Sequence, residues 1–124
     1  MGKIALDTSV CIAMLKHDNF AQSLIGQFAE QKPCLPSVAA FELLLRTYSI
    51  REVEAFIRQT EILELDENAA RKSAQISNEL RKKGKTISTN DIFIAAITME
   101  NNCELATLNA KDFSKIRGLK LVKI

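Results

Sequence analysis

The chain has 124 residues, of which 47% are hydrophobic and 26% charged, and a formal net charge of +2. That is the composition of one globular domain, residues 1–124, with enough apolar side chains for a sizeable core. It excludes a helical membrane span, because no apolar run approaches the ~20 residues required, and a binder that relies on overall positive charge, although a local basic patch would still serve nucleic acid.

The opening residues carry no signal-peptide stretch, so a cytoplasmic protein is expected. Cys11, Cys34 and Cys103 are odd in number and lack C-x-x-C spacing. Buried free thiols are predicted, rather than disulfides or a zinc site.

Ile4, Ala5 and Leu6 form a short apolar run, as in a strand buried on both faces. Asp7 falls at its carboxyl end, the edge at which open α/β sheets bind ligands. A helix is predicted from about Ser9 to Lys16, capped by Thr8 or Ser9. His17-Asp18-Asn19 breaks the pattern, and His17, the sole histidine, is expected to be exposed. A second helix follows from about Phe20 to Gln31. Pro33 marks its end, and Cys34 and Leu35 make a very short strand closed by Pro36.

Ser37 starts the next helix, with Val38, Phe41, Leu44 and Leu45 at helical spacing and Glu42 beside that face. Val53, Phe56 and Ile57 predict a helix from Arg51 to Gln59, and Glu61 to Leu65 a strand. Asp66 caps a long helix from Glu67 to about Lys83, which Gly84 ends. Ser88 or Thr89 caps a further helix. Asp91 lies in its first turns, where the dipole favours a carboxylate, and Asn101-Asn102 ends it. Glu104 to Leu108 reads as a strand, with Asn109 at its carboxyl end. Asp112, Phe113 and Ile116 occupy a short helical turn, and Gly118 precedes a last strand, Leu119 to Val122. Strands alternating with helices imply a three-layer α/β/α sandwich with a mostly parallel sheet and right-handed crossovers.

In such a sheet Asp7, Glu42, Asp91, Asn109 and Asp112 can converge on the carboxyl edge. Carboxylates packed together repel unless a cation neutralises them. Hard oxygen ligands without histidine or thiolate suit Mg²⁺ or Mn²⁺. Such an ion activates water and stabilises charge on a phosphodiester under attack. Thr8 and Thr107 lie beside two of these positions and can orient them. Taken singly, each residue has an ordinary reading: Asp7 and Asp112 as helix caps, Glu42 as a solvated helix residue, Asp91 as a favourable charge at a helix start, Asn109 as a turn former.

Three stretches add a resemblance. They are Leu6-Asp7-Thr8-Ser9-Val10; Gly84-Lys85-Thr86-Ile87 running to Asp91 and Ile94-Ala95-Ala96; and Leu105-Ala106-Thr107-Leu108-Asn109-Ala110-Lys111-Asp112-Phe113 with Ile116, Gly118 and Leu119. In order and spacing they resemble the motifs of the PIN-domain family, and within it the small VapC-like toxins of prokaryotic toxin–antitoxin pairs. Glu42-Leu43-Leu44 is similar to the family's weaker helix motif. The resemblance implies a metal-dependent ribonuclease with a site of Asp7, Glu42, Asp91 and the region of Asn109 and Asp112. It also implies a homodimer and an antitoxin partner. Asn109 stands where many members have aspartate, so Asp112 is the candidate to complete the metal site. Arg46, Lys85 and Lys111 are the candidate contacts to the RNA backbone. Val10 to Leu15 and Leu24 to Phe28 can supply a dimer face or plain core. Two alternatives stand beside the nuclease. One is a PIN-like module that binds RNA or protein without cutting. The other is an aspartyl phosphotransferase with Asp7 as nucleophile, which Ser9 disfavours because a second Asp is wanted there.

Overall fold

The computed structural model describes residues 2–16, 26, 30–46 and 49–123. In chain order these form β1 (Lys3–Leu6), α1 (Thr8–Leu15), β2 (Lys32–Pro36), α2 (Ser37–Leu44), α3 (Ile50–Arg58), β3 (Glu61–Leu63), α4 (Glu67–Lys82), α5 (Thr89–Glu100), β4 (Glu104–Ala106) and α6 (Ala110–Phe113). His17, most of the expected helix from Phe20 to Gln31 and most of Leu24 to Phe28 lie outside the described residues.

Ile4, Ala5 and Leu6 are all buried. Successive strand residues point to opposite faces, so a strand buried at every position is covered on both sides. The four strands are parallel, in the order β3-β2-β1-β4, and helices flank them as expected. The core gathers Leu6, Val10, Leu35, Leu43, Ile94, Ile97, Leu105 and Phe113, all fully buried. Each such burial contributes roughly 1.5–3 kcal/mol. Val10, Cys11 and Ala13 belong to this core, and Ile12, Met14 and Leu15 pack against it. In that half of the candidate dimer face, Ile12, Met14 and Leu15 thus stay partly exposed while the other three apolar residues are buried. The three cysteines are buried free thiols, and burial pushes the Cys103 thiol up to about 11.

Several boundaries differ from the sequence reading, each for a local reason. Asp7, rather than Thr8 or Ser9, caps α1: its side chain accepts from the Thr8 N–H. β2 runs through both prolines. Pro33 pairs only with Ile4 of β1, and Pro36 only with Leu63 of β3. Proline is tolerated where one side of the ladder is absent. β3 stops at Leu63, and the Leu65 N–H turns to the Ser37 hydroxyl instead (3.2 Å). The expected strand from Leu119 to Val122 reduces to a single bridge, Leu105 to Leu121. Only Leu105 of the short β4 offers both backbone groups to that side, to the Lys120 carbonyl (2.8 Å) and the Val122 N–H (2.9 Å).

Other signals act as read. Asp66 and Ser88 cap α4 and α5 with their side chains. Gly84 takes φ +67°. The Lys85 N–H then reaches the Leu80 carbonyl (2.9 Å) and the Gly84 N–H that of Arg81 (3.0 Å), which closes α4 in a Schellman turn.

Candidate active site

The carboxyl ends of β1 and β4 are neighbours because Leu6 pairs with Ala106. Asp7 and Thr107 follow directly, and the Asp7 N–H continues the ladder to the Ala106 carbonyl (3.0 Å). Asp7 is only 4% exposed. Its Oδ1 accepts from the Thr8 N–H at 2.8 Å. Its Oδ2 accepts from the Ser9 hydroxyl at 2.9 Å and from the Thr107 hydroxyl at 2.7 Å. Those hydroxyls accept in turn: Ser9 from the Leu108 N–H (3.0 Å) and Thr107 from the Asn109 N–H (2.9 Å). One buried carboxylate thus joins the β1–α1 turn to the loop between β4 and α6.

Thr8 extends the network to α2, donating to Glu42 Oε1 at 2.7 Å. Asn90 Nδ2 lies 3.5 Å from Glu42 Oε2. On the other flank, Asn109 Nδ2 donates to Asp112 Oδ2 at 3.0 Å, and Lys115 Nζ to Asp112 Oδ1 at 3.2 Å. These two donors hold the Asp112 carboxyl below its usual range. Asp91 sits at the start of α5, half-buried, with its N–H on the Ser88 hydroxyl (3.2 Å). Burial raises its pKa most. Ser88 opposes that rise, and the charges of Asp7, Glu42 and Asp112 add to it.

Asp7, Thr8, Glu42, Thr107, Asn109 and Asp112 therefore form connected groups, and Asp91 joins them through its field. Among the described residues, no three Asp, Glu, His or Cys side chains are grouped tightly enough to hold a metal ion between them. The donor chemistry itself fits a hard divalent cation. It is all oxygen, and among the described residues Asp91 forms no salt bridge. Arg46 is half-buried just past α2, while Lys85 and Lys111 are exposed on the loop before α5 and on α6. A cavity of about 320 Å³ opens on the opposite edge of the sheet, where Met99, Glu100, Glu104 and Lys120 line it.

Sequence reasoning missed Ser9, Asn90 and Lys115 as members of this site. Asn90 adjoins Asp91, and Lys115 lies three residues after Asp112, the spacing that brings helical side chains together. Ser9 carried no signal beyond its place in the Asp-Thr-Ser run.

A parallel sheet with a hydrogen-bonded cluster of acids at its carboxyl edge defines a domain of the acidic-site α/β class. The model of the PIN domain family matches residues 4–119, and the chain belongs to that family. A tRNA(fMet)-specific endonuclease VapC of Salmonella typhimurium is 29% identical over 98% of this chain and 97% of its own. The DNA-bound VapBC structure from Salmonella typhimurium matches with a TM-score of 0.83 and 26% identity, over 98% of both chains. VapBC-1 of nontypeable Haemophilus influenzae has a similar fold, with a TM-score of 0.86 at 24% identity over 97% of this chain and 96% of that one.

Proposed function

We propose that this PIN domain is an endoribonuclease that hydrolyses RNA phosphodiester bonds, and that it is the toxin of a VapBC-like toxin–antitoxin pair. The observation that carries the reading is the buried Asp7, welded by Thr107 to β4 beside the Thr8–Glu42 bond, together with an Asp91 whose pKa is raised by burial and by the charges of Asp7, Glu42 and Asp112. The relatives matched along nearly the whole chain are named as ribonucleases and as members of VapBC complexes.

Asp7, Glu42 and Asp91 would hold a Mg²⁺ or Mn²⁺ ion, with Asn109 and Asp112 beside them. Bound there, such an ion supplies an activated water and stabilises the negative charge of the attacked phosphate. Thr107 and Ser9 keep the Asp7 carboxylate in one orientation, and Thr8 does the same for Glu42. Arg46, Lys85 and Lys111 would meet the RNA backbone. Phe41, Leu44 and Leu45 of α2 and its end are 53%, 44% and 63% exposed. That apolar surface beside Glu42 supports a protein partner, an antitoxin or a second copy. No described helix is long and apolar enough to cross a membrane.

The test is calorimetry with Mn²⁺ and Mg²⁺ on the wild type and Asp91→Asn, followed by cleavage of a set of structured RNAs. Saturable binding that Asp91→Asn loses, with ion-dependent cleavage, supports the reading. A wild type that binds no ion would be a non-catalytic RNA- or protein-binding module.

A further inference from the structure

Lys115 stands inside the acidic region. Its ammonium donates to Asp112 Oδ1 at 3.2 Å and to the Thr86 carbonyl at 3.4 Å. The second Asp112 oxygen accepts from the Asn109 amide at 3.0 Å. Each oxygen of this carboxylate therefore has a donor, one of them a full positive charge. The pair is partly shielded, with side chains 31% exposed for Lys115 and 38% for Asp112.

The position of the ammonium matters as much as its charge. Thr86 belongs to the loop that leads to Ser88 and Asp91, and Lys115 follows α6. The two hydrogen bonds tie the stretch carrying Asp91 to the stretch carrying Asp112. A lysine ammonium is a compact point charge with three donors. It bridges two oxygens much as a hard cation does, but it lacks the vacant orbital of a Lewis acid.

We propose that the Lys115 ammonium takes the place of a second divalent ion in this protein: it neutralises Asp112 and spans from α6 to the loop before α5, so that the site binds a single ion on Asp7, Glu42 and Asp91. This rests on the metal-dependent reading above. Lys115 is a positioning residue, since it acts through Asp112 and touches no reacting atom. Asp112 thereby leaves the set of metal ligands that the family resemblance implies.

A purely structural Lys115 would be a partly exposed ion pair of little consequence, and its removal would not alter how many ions bind. The experiment is a Mn²⁺ titration by calorimetry on the wild type, Lys115→Met and Lys115→Arg, with thermal melts as a check on folding. Lys115→Gln removes the same charge if the methionine variant melts early. The expected result is one equivalent of Mn²⁺ for the wild type and Lys115→Arg, and two for Lys115→Met. Adding Asp112→Asn to Lys115→Met should return the count to one. Two equivalents in the wild type, or one in both charge-removed variants, would overturn the proposal and leave the metal-dependent function standing. No binding by the wild type would overturn that function and this proposal together.

Discussion

Two acids at opposite edges of the sheet, Glu61 and Asp91, are treated in opposite ways. At the amino edge, Glu61 opens β3 beside Lys3 and Lys32, which open β1 and β2. The ammonium groups stand 3.2 Å and 2.8 Å from its oxygens, and the Lys32 and Lys3 bonds hold its carboxyl below the usual range. At the carboxyl edge, Asp91 is half-buried among Asp7, Glu42 and Asp112, and its pKa rises. The residue types are alike, so the difference lies first in burial, which is the largest cause at Asp91, and then in the counter-charge that Glu61 has. Glu61, at the surface, finds two lysines. An acid left without one costs stability, which is the mark of a site whose ligand brings the missing charge.

The strongest way to break this contrast is at Asp7. Asp7→Asn should weaken Mn²⁺ binding by more than ~100-fold, beyond what loss of an outer partner produces, and leave no measurable RNA cleavage. Binding and cleavage retained within a few-fold would remove Asp7 from the site. Thr107→Val deletes the 2.7 Å bond to Asp7 and the acceptor for Asn109 N–H. It should weaken ion affinity about 10- to 100-fold, and Thr107→Ser should restore most of it. Equal behaviour of the two variants would show that the hydroxyl orients nothing.

The contrast is sharpened by stability, where Asp91 and Glu61 predict opposite signs. The pKa of Asp91 is raised by folding, so the native state keeps its proton to higher pH than the unfolded chain. Ionisation above the ordinary Asp range, about 3.9, therefore costs stability, and the cost persists at neutral pH. Without metal, Asp91→Asn should melt higher than the wild type at pH 7, with the gap closing in strong acid. Saturating Mn²⁺ should reverse the order, because the ion stabilises only the form that binds it. Asp91→Asn melting below the metal-free wild type would refute the charge account. Glu61 runs the other way. Its folded pKa is lowered, so its contribution is present above the unfolded Glu range and is lost as pH falls through the folded value. Glu61→Gln should lower the melting temperature slightly at pH 7, by less as salt rises, because the group is exposed and screened. This is the smallest effect of the set, and melts in low and high salt would measure it.

Much of the fold was legible from short-range signals. The caps Asp66 and Ser88, the stop at Gly84 and the helix start at Ser37 act within one turn of themselves, and all lie where the sequence placed them. The strand ends were less legible. Where a strand stops depends on which neighbour takes its next N–H, as Leu65 and Leu105 show.

The site divides in the same way. The sequence by itself determined that Asp7 follows a strand and that Asp91 opens a helix, with Thr8 beside Asp7. Local periodicity and capping suffice for that. Asn109, expected at the end of a strand reaching Leu108, instead precedes α6, because β4 stops at Ala106. Only the tertiary structure decided which groups meet. The Thr107 hydroxyl reaches Asp7 across 100 residues of chain because the register of β1 on β4 sets Leu6 against Ala106. Lys115 meets both Asp112 and Thr86 because α6 packs beside the loop that opens α5. A hydrogen bond is a contact of about 3 Å, and no local pattern in a sequence specifies distances of that kind between segments far apart along the chain.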